Sequence, residues 1–285
     1  MVAEIEPPAG GRVVIAGDWH GNTPWAMHVI ERTSALGIDT ILQLGDLGVL
    51  WPGDVGSTFT FKLQRHLAKH GVRLVFVDGN HDNHTALRAL PRDSGGFGVI
   101  RTKAKGGGRL ELIRWAPRGH RWTWPDANGA PVRFGALGGA FSIDYHHRRV
   151  GKDWWPGIEE VQAEDLQALG PEPLDVLLAH DCPTGAVPAS TMVIDYDDDV
   201  RSRRSRDLLL QAVTATHPRL HFAGHWHQRQ TFNLAHDGQV APTTVHVLDR
   251  DGSGANWVLL DLKTLDVEHP GRQRRGDGAG LAGSL

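Results

Sequence analysis

The stretch Arg73-Leu74-Val75-Phe76-Val77-Asp78-Gly79-Asn80-His81-Asp82 decides the predicted fold. Its first five residues form a short apolar run of β-branched and aromatic side chains, which predicts a buried strand. Gly79-Asn80-His81-Asp82 then presents an amide, an imidazole and a carboxylate. Polar groups at the carboxyl end of a parallel strand lie where open α/β sheets bind their ligands. The stretch therefore predicts a functional site, with an Asp-Gly turn and a helix cap at Asn80 or Asp82 as the alternative interpretation.

Four other apolar runs also end in side chains that can bind a ligand. Each run stops at a glycine or another small residue, and aspartate or histidine follows. One such case is typical of any turn, whereas the repetition favours a single site at the carboxyl ends of several strands. The groups are Asp18 and His20 after residues 13–16, Asp46 after residues 40–44, His180 after residues 174–179, and His225 and His227 after residues 219–223.

The order of the apolar patterns predicts an α/β chain. In the first third, strands alternate with helical patterns at residues 22–37, 59–70 and 83–90. Right-handed crossovers would place these strand ends at one edge of a parallel sheet. Short runs at residues 99–100, 110–113 and 132–137 predict a second sheet packed on the first. The last third adds predicted helices at residues 159–169 and 200–216 and strands at residues 231–234, 245–248 and 257–260.

Composition and charge narrow the class of protein. The 285 residues carry a formal net charge of −3, so no overall positive charge attracts the chain to nucleic acid or anionic membrane. No apolar run approaches the roughly 18 residues that a membrane span needs, and the first ten residues lack the apolar segment of a signal peptide. We therefore expect a soluble, cytoplasmic protein with one domain at residues 11–267 between disordered tails at residues 1–10 and 268–285.

The single cysteine, Cys182, excludes an internal disulfide framework. It follows His180 and Asp181, so a cysteine–histidine nucleophile is one interpretation and a small buried thiol is the other. Metal binding explains the histidines better, because imidazoles, carboxylates and an amide oxygen without a thiolate suit Mn, Fe or Zn in a reactive site. In Asp18-Trp19-His20 and His225-Trp226-His227, alternate side chains of an extended segment share a face and can hold one centre.

These blocks resemble the signature of the calcineurin-like metallophosphoesterases. The family carries D-x-H, G-D, G-N-H-D/E, a lone H and G-H-x-H, and all five blocks occur here in that order. They stand as Asp18-Trp19-His20, Gly45-Asp46, Gly79-Asn80-His81-Asp82, His180 and Gly224-His225-Trp226-His227. The resemblance implies an α/β fold, a four-layer α/β/β/α sandwich of two mixed β-sheets flanked by helices, and a metal-dependent phosphoric ester hydrolase.

The resemblance also implies a role for each block. One divalent ion would be held by Asp18, His20 and His227 and the other by Asn80, His180 and His225, with Asp46 bridging the two. His81 would be the catalytic histidine, oriented by Asp82. The two ions implied are Mn, with Fe or Zn as alternatives.

The chemistry of such a centre agrees with these roles. Two cations that share a carboxylate can share a hydroxide, because coordination brings the pKa of water from near 15.7 to about 7. Such a hydroxide would be the nucleophile towards phosphorus, and the cations would neutralise the charge that builds on the non-bridging oxygens. His81 is not required for a metal and can therefore protonate the departing oxygen.

The middle of the chain is similar to a phage and bacterial subgroup of this family, which carries G-G-A-x-S-x-D followed by a W-W pair. The segment reads Gly138-Gly139-Ala140-Phe141-Ser142-Ile143-Asp144 and is followed by Trp154-Trp155. Arg148 and Arg149 lie between the two motifs and are candidates for binding a phosphate, with solvent exposure as the alternative. Trp19 and other tryptophans of the motif loops are candidates for stacking on a base, with core packing as the alternative.

The blocks also distinguish among substrates. Protein serine/threonine phosphatases of the superfamily continue G-D with V-D-R-G, whereas this chain reads Gly45-Asp46-Leu47-Gly48 and lacks the phosphate-gripping arginine there. A diester carries one charge fewer than a monoester, so its binding is weakened less when this arginine is missing. We therefore expect a phosphodiesterase acting on small nucleotides, such as cyclic nucleotides.

Three other functions stay open at this point. They are a phosphomonoesterase or protein phosphatase, a nuclease, and a non-catalytic binding module of the same fold. A nuclease needs a basic groove, and the sequence has no concentrated basic run to form one. The expected partner is thus a small phosphoester, and neither a membrane nor duplex nucleic acid is expected.

Overall fold

The first sheet carries the strands that lead into the N-terminal motif blocks. A computed structural model describes residues 5–190, 194–235 and 241–270. The strands of this sheet are β1 Arg12–Ala16, β2 Thr40–Gln43, β3 Arg73–Phe76, β4 Gly98–Lys103, β5 Arg109–Trp115, β12 Trp257–Asp261 and β13 Val267–Glu268. Their order is β13-β12-β1-β2-β3-β5-β4. The run β1-β2-β3-β5 is parallel, while β12 and β4 pair antiparallel at its two sides, so the sheet is mixed.

The second sheet carries the strands that lead into the C-terminal motif blocks. Its strands are β6 Arg121–Pro125, β7 Pro131–Leu137, β8 Val176–Ala179, β9 Leu220–Ala223, β10 Gln230–Leu234 and β11 Thr243–Val247. Their order is β10-β11-β9-β8-β7-β6. The inner strands β7, β8, β9 and β11 are parallel and the outer strands β6 and β10 are antiparallel, so this sheet is mixed too.

Side-chain caps define where two of the helices begin. The helices are α1 Thr23–Ala35, α2 Asp54–His70, α3 His84–Arg88, α4 Ala163–Leu169 and α5 Tyr196–Thr216. The Asn22 side chain accepts a hydrogen bond from the Trp25 amide at the start of α1, and Asn83 does the same for α3. The cap of α3 is therefore Asn83, which leaves Asn80 and Asp82 for other roles.

Strand alternation divides the apolar side chains into layers. Val13 and Ile15 belong to the core between the two sheets, where they join Phe134 and Phe222 of the second sheet. Val14, the residue between them, faces the other way, into the core under α1 and α2. A further cluster joins α4 and α5 to the outer face of the second sheet. The predicted four-layer α/β/β/α sandwich of two mixed β-sheets is thereby confirmed.

Several local predictions differ from the structure. β4 and β5 join the first sheet rather than the second, because β5 pairs parallel with β3. β6 was not predicted, although Trp122 and Trp124 alternate with polar residues along it. Helices α2 and α5 begin earlier than predicted, at Asp54 and Tyr196, and α4 begins later, at Ala163. Alternation reports which face of a strand is buried, but it does not report the neighbour that the strand joins.

The predicted tails fall partly outside the described residues. This holds for residues 1–4 and 271–285. Within the described ranges, Ile5 packs against the core between the sheets, and the Pro7 carbonyl accepts a hydrogen bond from Arg73. The single domain at residues 11–267 stays a prediction. Every helix in the described ranges is too short or too polar to cross a membrane.

Candidate metal centre

The predicted metal ligands follow five strands that end on the same side of the two sheets. Asp18 and His20 follow β1, Asp46 follows β2, and Asn80 follows β3. In the second sheet His180 follows β8, and His225 and His227 follow β9. Because these strands are parallel within each sheet, the loops after them lie at the carboxyl ends, and the structure brings all seven side chains together there.

One group of donors surrounds Asp18. Nε2 of His227 lies 3.2 Å from Oδ2 of Asp18, and Nε2 of His20 lies 3.8 Å from the same oxygen. The rings of His20 and His227 meet edge to face at 4.9 Å between centroids. Asp18 is completely buried, so its carboxylate needs these partners or a cation.

A second group of donors surrounds Asn80. Its side-chain oxygen lies 3.0 Å from Nε2 of His180 and 3.1 Å from Nδ1 of His225. The same two rings lie 5.1 Å apart. One amide oxygen and two imidazole nitrogens thus converge on one point, as the donors of a cation do.

Asp46 lies between the two groups. Its Oδ2 is 3.7 Å from Nε2 of His20 in the first group and 3.5 Å from Nε2 of His180 in the second. Its Oδ1 accepts the backbone N–H of His81 at 2.7 Å. A carboxylate in this position can touch a cation in either group, which agrees with the bridging role that was predicted.

Contacts behind the ligands fix the direction in which they point. Nδ1 of His180 donates to the Leu44 carbonyl at 2.6 Å, which leaves Nε2 as the nitrogen that could bind a metal once the metal displaces its proton. Nδ1 of His20 lies 3.0 Å from the carboxylate of Asp251. Nδ2 of Asn80 donates to Oγ of Ser142 at 3.0 Å, which directs the amide oxygen inwards.

The charges of the centre support cation binding. Burial opposes charge on His20, but the hydrogen bond and the charge of Asp46 outweigh it and raise the pKa of His20 to about 9. Burial is likewise outweighed at His180, whose pKa rises to about 10 beside Asp46 and Asp18. Burial also opposes charge on Asp46, yet the positive charge of His180 holds its pKa well below its usual range. Protons on histidine therefore balance the carboxylates, and an entering cation would displace them.

The backbone of the centre is strained at the ligands themselves. φ is positive at His20 (45°), Asp46 (51°), His225 (63°) and His227 (50°), in the left-handed region that residues other than glycine avoid. Each such residue costs on the order of 1–3 kcal/mol, which folding tolerates mainly where the conformation serves a site.

Two glycines of the motif blocks let the loops press against the carboxylates. A Cβ atom added at Gly79 would lie 2.2 Å from Oδ1 of Asp46, and one added at Gly224 would lie 2.1 Å from Oδ1 of Asp18. Any larger residue would push a ligand out of place. The oxygen and nitrogen donors, their convergence and their buried charges all fit two divalent ions.

His81 lies beside the metal ligands without joining them. Its Nε2 is 3.9 Å from Oδ2 of Asp46, and about a third of the side chain (34%) is exposed. Nη2 of Arg148 lies 2.6 Å from this Nε2. Burial and, beyond it, the charge of Arg148 lower the pKa of His81, although Asp46 acts in the opposite direction.

Arg148 is built into this position by its own segment. Its side chain is only 6% exposed and forms an ion pair with Asp144. Nη1 donates to Oγ of Ser142 at 3.0 Å, so Ser142 contacts both this arginine and the predicted metal ligand Asn80. Of the two arginines named from the sequence, Arg148 therefore lies in the centre.

The other predicted binding residues lie elsewhere. Arg149 is 70% exposed beside Asp153, which matches the alternative of an exposed arginine. Trp19 is completely buried, with Nε1 donating to Asn256, so packing rather than base stacking explains it.

Asp82 is also completely buried, and its carboxylate accepts the backbone N–H groups of Gly79 and Gly48. It thus shapes the loop that carries His81, and its carboxylate is directed at the backbone and not at the histidine ring that it was expected to orient.

Two residues that orient the predicted ligands, Ser142 and Asp251, had no signal in the sequence. Ser142 stood in the segment that was singled out, but no pattern indicated that its hydroxyl would contact Asn80. Asp251 lies in a turn far along the chain and reaches both His20 and Asn22. A lone aspartate in a turn has no sequence signal of its own. Cys182 is completely buried, and burial raises the pKa of its thiol well above the usual value, which favours a small buried thiol over a nucleophile.

Comparisons with known proteins agree with this geometry. The protein is similar in structure to TT1561 of Thermus thermophilus, with a TM-score of 0.53 and 14% identity over 90% of this chain and 96% of that chain. A second crystal structure has a TM-score of 0.55 and 12% identity over 90% of this chain and 97% of its own. At such identities the likeness shows the fold alone. No curated protein matches the sequence. The model of the calcineurin-like phosphoesterase family, however, matches residues 11–229, so the chain belongs to that family.

Proposed function

We propose that the protein is a phosphodiesterase that uses two divalent metal ions and acts on small nucleotides, cyclic nucleotides among them. The observation that carries the proposal is the position of Asp46, which lies within 3.7 Å of His20 in one donor group and within 3.5 Å of His180 in the other. His81 and Arg148 stand directly beside this pair of groups. A site with both donor groups and a neighbouring acid–base residue has every part that phosphoester hydrolysis needs.

The metal ions would be held by the two groups described above. Asp18, His20 and His227 would hold one ion, Asn80, His180 and His225 the other, and Asp46 both. When bound, the ions supply a water of lowered pKa as nucleophile and neutralise charge on the phosphoryl oxygens. The ligands are nitrogen and oxygen atoms without thiolate, so we favour Mn, with Fe or Zn as alternatives.

Arg148 and His81 would act in sequence on the substrate. A guanidinium forms two parallel hydrogen bonds with a phosphate but only one with a ring nitrogen, so a bound phosphoryl group competes well for Arg148. When Arg148 turns to the phosphate, its charge leaves Nε2 of His81, and the pKa of the ring rises. His81 can then carry a proton on Nε2 and give it to the departing oxygen.

One observation supports a diester as the preferred substrate, and another supports a monoester. No arginine follows Gly45-Asp46, where the protein phosphatases of the superfamily place one, which favours a substrate with a single negative charge. Arg148 supplies a guanidinium from a different segment, and this observation favours a phosphomonoesterase as the second candidate. For a nucleotide base, the candidate is Trp226, which is half-buried beside His225. The single buried cysteine suits a reducing compartment, and we place the activity in the cytoplasm.

One assay separates these functions. Metal-stripped protein is reconstituted with Mn²⁺ and supplied with bis-p-nitrophenyl phosphate or p-nitrophenyl phosphate. We expect metal-dependent turnover of both, with the higher kcat/KM on the diester. A higher value on the monoester would favour the second candidate, and no metal-dependent turnover on either would leave a non-catalytic binding module. A ranked screen of 2',3'- and 3',5'-cyclic nucleotides, dinucleotides and single-stranded DNA then identifies the substrate class.

A further inference from the structure

A second cluster of metal-binding side chains lies on the flank of the α1–α2 helix pair. His66 and His70 are one turn apart on α2, and Glu31 faces them from α1. One donor atom of each residue lies within 4.8 Å of the other two. Two histidines at positions i and i+4 of a helix present their rings on one face, the spacing that helical zinc sites use.

The Nε2 atoms of His66 and His70 are buried and form no hydrogen bond in the described part of the chain. Nε2 of His66 lies 3.3 Å from Oε1 of Glu31, a close contact that lacks the angles of a hydrogen bond. Nε2 of His70 is also buried and has no hydrogen-bond partner in the described part of the chain. The two rings are 4.5 Å apart. Buried polar atoms of native proteins nearly always have a partner, so two unpartnered imidazole nitrogens close to a carboxylate are available to a ligand.

Contacts around the cluster hold the two helices in place. The 3.3 Å approach of Nε2 of His66 to Oε1 of Glu31 brings α2 against α1 at the cluster itself. The Ser34 hydroxyl donates to the His70 carbonyl at 2.9 Å and joins the end of α1 to the end of α2.

The cluster is separate from the candidate metal centre. His70 is the last residue of α2, and β3 begins three residues later at Arg73. The cluster therefore lies towards the amino ends of the parallel strands, whereas the predicted catalytic ligands follow their carboxyl ends. Binding at one edge can be measured without disturbing the other.

We propose that Glu31, His66 and His70 form a site for one further divalent ion of the borderline class, Zn²⁺ or, as probes, Co²⁺ and Ni²⁺. Two imidazole nitrogens and a carboxylate are three of the four ligands of a tetrahedral zinc site, and water supplies the fourth. Lys69 lies near His66 and repels any cation, so hard ions such as Mg²⁺ and Ca²⁺, which are held mainly by charge, bind less well. The ion ties α1 to α2 and stabilises the folded chain by mass action.

The experiment counts bound zinc. Metal-stripped wild type and the His66→Gln/His70→Gln double variant are equilibrated at the same free Zn²⁺ concentration, and the zinc on each is measured by mass spectrometry. We expect wild type to hold one more ion per chain than the double variant. The comparison is repeated with Asp46→Ala added to both the wild type and the double variant. The difference in bound zinc is then also measured when the predicted catalytic centre is impaired. His28→Gln, an exposed histidine on α1 outside the cluster, is the matched control and keeps the extra ion.

Two further measurements, the Tm shift caused by Zn²⁺ and the zinc affinity of a second variant, test the same site. In the Asp46→Ala background, Zn²⁺ should raise the Tm of the chain with an intact cluster more than that of the double variant. If the double variant does not fold, Glu31→Gln replaces it. The Glu31 side chain is 53% exposed, and glutamine has nearly the same shape as glutamate, so we expect this variant to fold. This variant should bind the extra zinc about tenfold more weakly or worse. Equal zinc and equal affinity in wild type and variants, or the same loss in His28→Gln, would overturn the site.

Discussion

Nη2 of Arg148 lies 2.6 Å from Nε2 of His81. A guanidinium only donates hydrogen bonds, so Nε2 of the histidine accepts, and its proton lies on Nδ1. In this arrangement His81 cannot donate a proton from Nε2 until Arg148 moves. The pair therefore links substrate binding to the acid–base state of the histidine.

Replacing Arg148 tests this link. We expect Arg148→Gln to lower kcat/KM for a phosphoester about 10²-fold, because a charged donor to the phosphoryl group is lost. The pKa of His81, followed by NMR, should rise, because the neighbouring positive charge that lowers it is removed. Arg149→Gln removes the same charge from an exposed position and should leave both quantities near wild type. An unchanged pKa of His81 in Arg148→Gln would contradict the link.

His81 and Asp46 should separate catalysis from metal binding. His81→Ala is expected to slow turnover about 10²–10⁴-fold while both ions stay bound, since its ring is not among the donors. The readout is kcat together with the manganese content of the purified variant. Loss of manganese in His81→Ala would show that the histidine is a ligand instead.

Asp46→Ala should behave differently, because both donor groups lose the same carboxylate. We expect manganese content and turnover to fall together, and added Mn²⁺ to restore little of either. Retention of two ions with full activity would remove Asp46 from the bridging role.

Ser142 is expected to act on the metal ions through Asn80. Its hydroxyl fixes the amide of Asn80, so Ser142→Ala should weaken the affinity for one ion about 10–100-fold. Excess Mn²⁺ should restore most of the turnover, and this rescue distinguishes lost metal from a lost catalytic group. Thr85→Ala is the control, because Thr85 accepts a hydrogen bond from Trp155 of the same region and has no bond to Asn80 among those described. Equal metal affinity in Ser142→Ala and wild type would argue against the role.

Stability should fall in acid because of His84. Burial lowers the pKa of His84 from 6.5 to about 4, even though the charge of Asp78 acts against it. The unfolded chain then binds the proton first, so the contribution is fully present above pH 6.5 and is lost as the pH falls towards 4. The loss is on the order of 1–3 kcal/mol. Urea unfolding at pH 7 and pH 5 should show a smaller loss in His84→Phe than in wild type or in His28→Phe, and equal losses would contradict the assignment.

The convergence of the ligands was predictable because it follows from strand order. Asp18, Asp46 and Asn80 each follow a parallel strand of one sheet, and right-handed crossovers bring such ends to one edge. The fold class followed from the same alternation and from the family resemblance. The sheet that β4 and β5 join did not follow, because pairing depends on neighbours that are distant in sequence.

The choice between neighbouring side chains was not predictable. Arg148 and Arg149 are adjacent and chemically equal, yet one is 6% exposed beside His81 and the other is 70% exposed. Trp19 stands between two metal ligands in sequence but is completely buried. Loop geometry decides such cases, and no periodicity reports it.

The sequence by itself determined which residues are candidates for holding the ions, since their chemical types and their places after apolar strands can be read along the chain. Only the tertiary structure decided how those residues are supported: Ser142 behind Asn80, Asp251 behind His20, and Arg148 against His81. The physical reason is that a metal ligand needs a particular donor atom, and the residue at that one position of the sequence supplies it. A supporting hydrogen bond needs only a polar atom at the right distance, and any segment that the fold brings close can supply it.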